Sequence, residues 1–139
     1  MSIKIDVIEN ACDVYGPGGK NSPIEINFYE INVNNFDSGR YAKNINYTID
    51  CGSQNVINPN LKLKFESEPA DFNSNFVRTT NPNVGLKIVS DGVLLPPKEY
   101  KNFNLSNKPS LVVYPVLNTE EDIELGLFEA TGVLKVEYQ

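Results

Sequence analysis

The chain has 139 residues, enough for one domain with a real core, and its 40% hydrophobic content with 9 Gly and 9 Pro is that of a turn-rich globular protein rather than a disordered or fibrous one. Its 18 acidic against 12 basic residues give a formal charge of -6, which with no Lys/Arg cluster argues against nucleic acid or an anionic membrane surface as partner. No run approaches the roughly 20 apolar residues of a membrane helix, and a chain without histidine lacks the usual nucleophilic triads.

The opening residues, Met-Ser-Ile-Lys-Ile-Asp-Val, lack the basic start and long apolar stretch of a signal peptide. Within them Ile3, Ile5 and Val7 alternate with Ser2, Lys4 and Asp6. The same period of two returns in Ile24, Ile26 and Phe28, in Ile45, Tyr47, Ile49 and Cys51, and in Leu61, Leu63 and Phe65. Each predicts a strand with one face in a core and one in water. Val84, Leu86 and Ile88 predict another, closed by Ser90-Asp91-Gly92 as a hairpin turn. Leu111 to Val116 is more continuously apolar and predicts a strand covered on both faces.

Thr119 to Leu125, with acids behind a capping threonine, predicts a single helical turn or a loop. The final strand is the clearest: Phe128, Ala130, Gly132, Leu134, Val136 and Tyr138 share one parity, and Glu129, Thr131, Lys135 and Glu137 share the other. Turn-formers separate the runs at Tyr15-Gly16-Pro17-Gly18-Gly19, Asn58-Pro59-Asn60, Asn81-Pro82-Asn83 and Pro96-Pro97. About seven short strands with regular turns predict an all-β sandwich or barrel. A long apolar strand at the end of the chain needs a neighbour on each side or it leaves an exposed edge. A central position in the sheet supplies both; so does a strand lent by another protein.

Few residues suggest chemistry. Cys12 and Cys51 suit either a disulfide or two buried thiols. The cluster Glu120, Glu121, Asp122 and Glu124 carries carboxylates of the kind used in glycoside hydrolysis or in holding calcium. Its spacing fits no EF-hand loop, and it reads better as a solvated turn. Neither a metal nor a cofactor is expected, and neither is enzymatic activity. Asn46-Tyr-Thr48 and Asn104-Leu-Ser106 match the N-glycosylation pattern. Tyr15, Tyr29, Tyr41 and Tyr100 offer rings that could stack on sugars, which keeps a carbohydrate- or receptor-binding domain as the alternative reading.

The C-terminal stretch from Gly126 to Gln139, with Gly fourteen positions from the end and Tyr138 next to last, resembles the closing strand of chaperone–usher pilins. Cys12-Asp-Val resembles the opening of the pilin first strand, and Gly39 to Cys51 the strand carrying the second cysteine. Val84 to Pro97 resembles the pilin hairpin with its Asp-Gly turn and Leu-Pro exit. The resemblance implies a single pilin domain over residues 1–139, an incomplete immunoglobulin-like β-sandwich lacking its seventh strand, with a Cys12–Cys51 disulfide. It implies a donor-strand groove flanked by the first strand, around Ile3–Val14, and the last, and lined by Phe128, Ala130, Gly132, Leu134, Val136 and Tyr138.

Gly126, Tyr138 and Gln139 would form the chaperone-recognition motif. The implied partners are a periplasmic chaperone, an outer-membrane usher and the neighbouring fimbrial subunit. The implied location is the periplasm in transit, then an extracellular fimbria on a bacterial surface, without membrane insertion. Eleven residues precede Cys12, and Asp6–Ala11 match the start of the pilin's own first strand. That leaves too little for a donor extension, which the reading takes as absent or truncated. The expectation is therefore a minor or tip subunit with its extension removed, or the pilin domain of a tip adhesin.

Overall fold

Most of the alternating segments become strands in the computed structural model, which describes residues 2–9, 12–19, 24–28, 38–118 and 128–139. In chain order the strands are β1 Ser2–Glu9, β2 Asp13–Tyr15, β3 Ile24–Asn27, β4 Lys43–Asn44, β5 Thr48–Asp50, β6 Asn60–Glu66 and β7 Pro69–Ala70. They continue as β8 Asn73–Arg78, β9 Val84–Ser90, β10 Val93–Leu94, β11 Lys101–Asn104, β12 Leu111–Leu117 and β13 Glu129–Tyr138. One sheet has the order β11-β6-β13-β1-β3 and the other β4-β12-β9-β8-β7, with β10 folded back on β9. β2 and β5 form a separate two-stranded ribbon.

The inward residues of both sheets join in one core. Ile3, Ile5, Leu61, Leu63, Phe65, Leu134 and Val136 come from the first sheet, and Val77, Val84, Leu86, Ile88 and Val113 from the second. At roughly 1.5–3 kcal/mol for each fully buried aliphatic side chain, this face-to-face burial is the main stabilising term. The expected alternation at Ile45, Tyr47, Ile49 and Cys51 is real, since all four are buried. The segment crosses between layers, however: β4 pairs with β12 and β5 with β2. The buried Tyr47 hydroxyl donates to the Pro109 carbonyl at this crossing. Burial first, and the charge of Asp91 second, push the Tyr47 phenol well above its ordinary pKa, so it stays a donor.

The Asp-Gly hairpin forms as expected, with φ of 50° at Asp91 and 80° at Gly92, the two positive values that a tight type I′ turn requires. The Asp91 carboxylate accepts from the Ser110 backbone N–H at 2.8 Å and from its hydroxyl at 3.1 Å, tying the turn to the start of β12. β12 corrects an expectation. It alternates between buried and half-buried residues rather than being covered on both faces, because a two-layer sandwich leaves each sheet one solvent side. Strands β7 and β8 were not visible as alternation; in β8 Val77 is the buried residue, between half-buried Phe76 and exposed Arg78. The stretch Thr119 to Leu125, with its acidic cluster, lies outside the described residues.

Cys12 and Cys51 are joined in a disulfide, with Cα atoms 4.3 Å apart and 39 positions of separation. The bond fastens the residue before β2 to the residue after β5. Closing a loop of that length stabilises the folded state by about 4 kcal/mol in the chain-entropy model. Reduction is therefore expected to lower the melting temperature by roughly 10–20 °C, followed by circular dichroism with and without a reductant.

Candidate functional site

β13 is the strand on which the first sheet is organised, and its two edges are paired differently. On one side it runs antiparallel to β6, from Val133↔Glu66 to Tyr138↔Leu61. On the other it runs parallel to β1, from Ser2↔Glu129 to Glu9↔Val136. β1 in turn pairs antiparallel with β3, from Ser2↔Asn27 to Ile5↔Ile24. The chain's own first strand thus lies between β13 and β3. Over Glu129 to Gly132 the ladder of β13 among the described residues is supplied by β1, since the β6 pairing begins at Val133.

The side chains explain why β1 fits there. Ile3 and Ile5 are 0% exposed and stand opposite Ala130 and Gly132 in register. Phe128, just before β13, and Ala130, Leu134 and Val136 on it are buried, with Leu134 and Val136 opposite Phe65 and Leu63 in the β6 ladder. Gly132 is the close-approach position: a Cβ built there would lie 2.2 Å from Cζ and 2.5 Å from Cε1 of Phe65. The Phe65 ring fills the space that any larger residue at 132 would claim. The entry of β13 is held to the loop before β9, with Thr80 N–H donating to the Glu129 carbonyl at 2.8 Å and Glu129 N–H to the Thr80 hydroxyl at 2.9 Å.

The outward face of β13 and β6 is a charged ladder. Lys135 lies 2.7 Å and Lys64 3.6 Å from the Glu66 carboxylate, and Lys62 lies 3.9 Å from Glu137. The Tyr100 hydroxyl donates to Glu137 at 3.0 Å, with the Lys62 and Lys64 amines 4.4 and 4.7 Å from its ring centre. The hydrogen bond from Lys135, with the charge of Lys64 beside it, holds the Glu66 carboxyl below its ordinary pKa. What this pairing contributes is present above the ordinary carboxylate range and is lost as pH falls through the lowered value. At such exposure its magnitude is small.

The family model for the fimbrial protein matches residues 1–139. The chain belongs to the fimbrial protein family. An uncharacterised fimbrial-like protein of Escherichia coli (strain K12), YfcR, is 26% identical over 120 residues, covering 83% of this chain and 69% of that protein. The crystal structure of the P pilus rod subunit PapA superposes with a TM-score of 0.63 at 12% identity, over 94% of this chain and 100% of that one. At that identity the likeness concerns the fold, and the fold is that of a pilin: all-β, with one disulfide.

Within a fimbrial protein the expected groove residues fall together. Ala130, Gly132, Leu134 and Val136 share the inward face of β13, and Phe128 is buried just before it. Tyr138 continues the same parity, but the β1 pairing ends at Val136 and Tyr138 is 43% exposed. The Gln139 side chain donates to the carbonyls of Leu61 at 2.7 Å and Phe103 at 3.2 Å, and its backbone N–H to Asn60 at 3.2 Å. Gly126 lies outside the described residues. The first strand was expected at the rim of the groove, over Ile3–Val14. Instead that stretch divides: β1 occupies the position beside β13, and β2 turns away to pair with β5. Its Ile3/Ile5 alternation marked a buried face but not the strand beside which it lies.

Gly132→Ala is expected to destabilise the protein by about 1–3 kcal/mol, a fall of roughly 3–10 °C in melting temperature, because the Phe65 ring must move. Combining it with Phe65→Leu should recover part of the loss. Thermal melting of the two variants beside the parent checks both.

Proposed function

We propose that this fimbrial protein is a fibre subunit that accepts a β-strand beside β13, and that its own β1 holds that position until a strand from another protein replaces it. The observation that carries this reading is the parallel insertion of β1 between β13 and β3. Parallel ladders are slightly less stable per residue than antiparallel ones. A donor that runs antiparallel to β13 and places apolar side chains at alternate positions would gain the same burial with better pairing. Strand addition of this kind draws affinity from main-chain hydrogen bonds and specificity from alternate side-chain pockets.

In this reading Phe128, Ala130, Gly132, Leu134 and Val136 form the floor of the accepting groove, and Tyr138 marks its open end. A periplasmic chaperone supplies the first replacing strand, with Gly126, Tyr138 and the carboxylate of Gln139 as its contacts. At an outer-membrane usher that strand is exchanged for one from the neighbouring subunit. The role is structural, in bacterial adhesion through the fibre, with passage through the periplasm to the cell surface. No helix among the described residues is long and apolar enough to cross a membrane.

The test is to incubate the full chain with excess synthetic peptides of alternating apolar pattern, following complex mass and melting temperature. A fitting peptide is expected to form a slow 1:1 complex that melts higher by roughly 10 °C or more. Ile5→Asp, which puts a charge on the buried face of β1, should melt lower alone yet take up peptide faster. Leu134→Asp should take up none, since an unpaired charge would face the apolar groove. A chain indifferent to every peptide, with Ile5→Asp as stable as the parent, would sink the reading.

A further inference from the structure

Away from β13, a cleft of about 630 Å³ opens between the turn after β2, the crossing segment 44–48 and residues 108–111. That is within the volume of small-molecule sites, roughly 300–1,000 Å³. Its walls are held by contacts that exist without a ligand. Gly19 N–H donates to the Gly16 carbonyl at 3.0 Å to close the turn, and Ile45 N–H to the Leu111 carbonyl at 2.8 Å. The Lys108 amine donates to the Tyr47 carbonyl and lies 4.5 Å from the centre of the Tyr47 ring. A cleft shaped in advance loses little in ordering itself around a ligand.

The lining has a consistent chemistry. Asn44, Asn46 and Thr48 project at alternate positions, all exposed, and no side-chain hydrogen bond to any of them occurs among the described residues. Asn44 ends β4 and Thr48 opens β5, with Asn46 on the crossing segment between them. Each amide both donates and accepts, as sugar hydroxyls do. Tyr15 adds a half-buried aromatic wall, the usual partner for the apolar face of a sugar ring. Among the described residues Lys108 is the charged residue of the lining, with no Asp or Glu in it. Nearby Asp91 is committed to Ser110 and to Lys101 at 3.5 Å. On a chain of formal charge -6, a lining with one cation and no acid among its described residues favours an anion locally. Lys108 has three donors and spends one on Tyr47.

We propose that this cleft binds an acidic saccharide unit, its hydroxyls on Asn44, Asn46 and Thr48 and its carboxylate on Lys108. The cleft shares no residue with the groove beside β13, so the two proposals stand or fall separately. The test is a titration of the isotope-labelled full chain with glucuronate, glucose and acetate, followed by NMR. Glucuronate is expected to shift the signals of Asn44, Asn46, Thr48 and Lys108 saturably in the millimolar range, and glucose to bind at least about fivefold more weakly. Acetate should not saturate. Asn46→Ala should weaken glucuronate about five- to tenfold with unchanged melting, and Lys108→Gln should abolish its advantage over glucose. No saturable shift with glucuronate, acetate or glucose acting as strongly, or Asn46→Ala binding like the parent would each overturn the proposal.

Discussion

The backbone of β13 has to be paired along both edges, and the rest of the molecule is arranged around that requirement. Its inward side chains lie in the core, so its N–H and C=O groups are remote from water, where an unmade hydrogen bond costs about 1–3 kcal/mol. β6 satisfies one edge from Val133 onward, and β1 satisfies the other from Glu129 to Val136. Removing β1 would leave the first half of β13 without a ladder among the described residues and would expose the apolar face over which Ile3 and Ile5 sit. A fold with that constraint cannot be indifferent to what occupies the position. In the proposed assembly by strand replacement, the same constraint is met by another molecule.

The disulfide bears on this directly. Cys12 follows β1 after Asn10 and Ala11, and its bond to Cys51 fixes the end of β1 near the end of β5. From that anchor, β1 enters the sheet parallel to β13. A strand supplied from outside has no such tether and is free to choose the antiparallel direction. The tether also makes self-occupancy an intramolecular event, favoured by a high effective concentration. Replacement therefore has to compete with an always-present occupant, which favours donors with complementary side chains over arbitrary apolar strands.

Much of the fold was legible in the sequence because period-two alternation survives wherever one face is buried: β1, β3, β6, β9 and β13 all appear where Ile, Leu, Val and Phe alternate with polar residues. The Asp91-Gly92 turn was legible for a similar reason, since few other residues accept its backbone angles. Strands β7, β8 and β11 were not, because each buries a single side chain or so and carries no pattern. The groove residues were readable as a face of β13, but the identity of their neighbour was not. Alternation states that Ile3 and Ile5 are buried; it does not state against which strand. The cleft was hidden for a further reason: Asn44 and Lys108 are distant in the chain and meet only through the pairing of β4 with β12.

The central claim, that β1 is an exchangeable occupant rather than a fixed part of the core, is tested most directly by native-state amide hydrogen exchange across the denaturant range. The account predicts that the amides joining β1 to β13 open together in a sub-global step, at a lower free energy than those of β6, β9 and β12, which open with global unfolding. If the β1 amides exchange only with global unfolding, at the same free energy as the core strands, β1 is an integral strand and the account is contradicted.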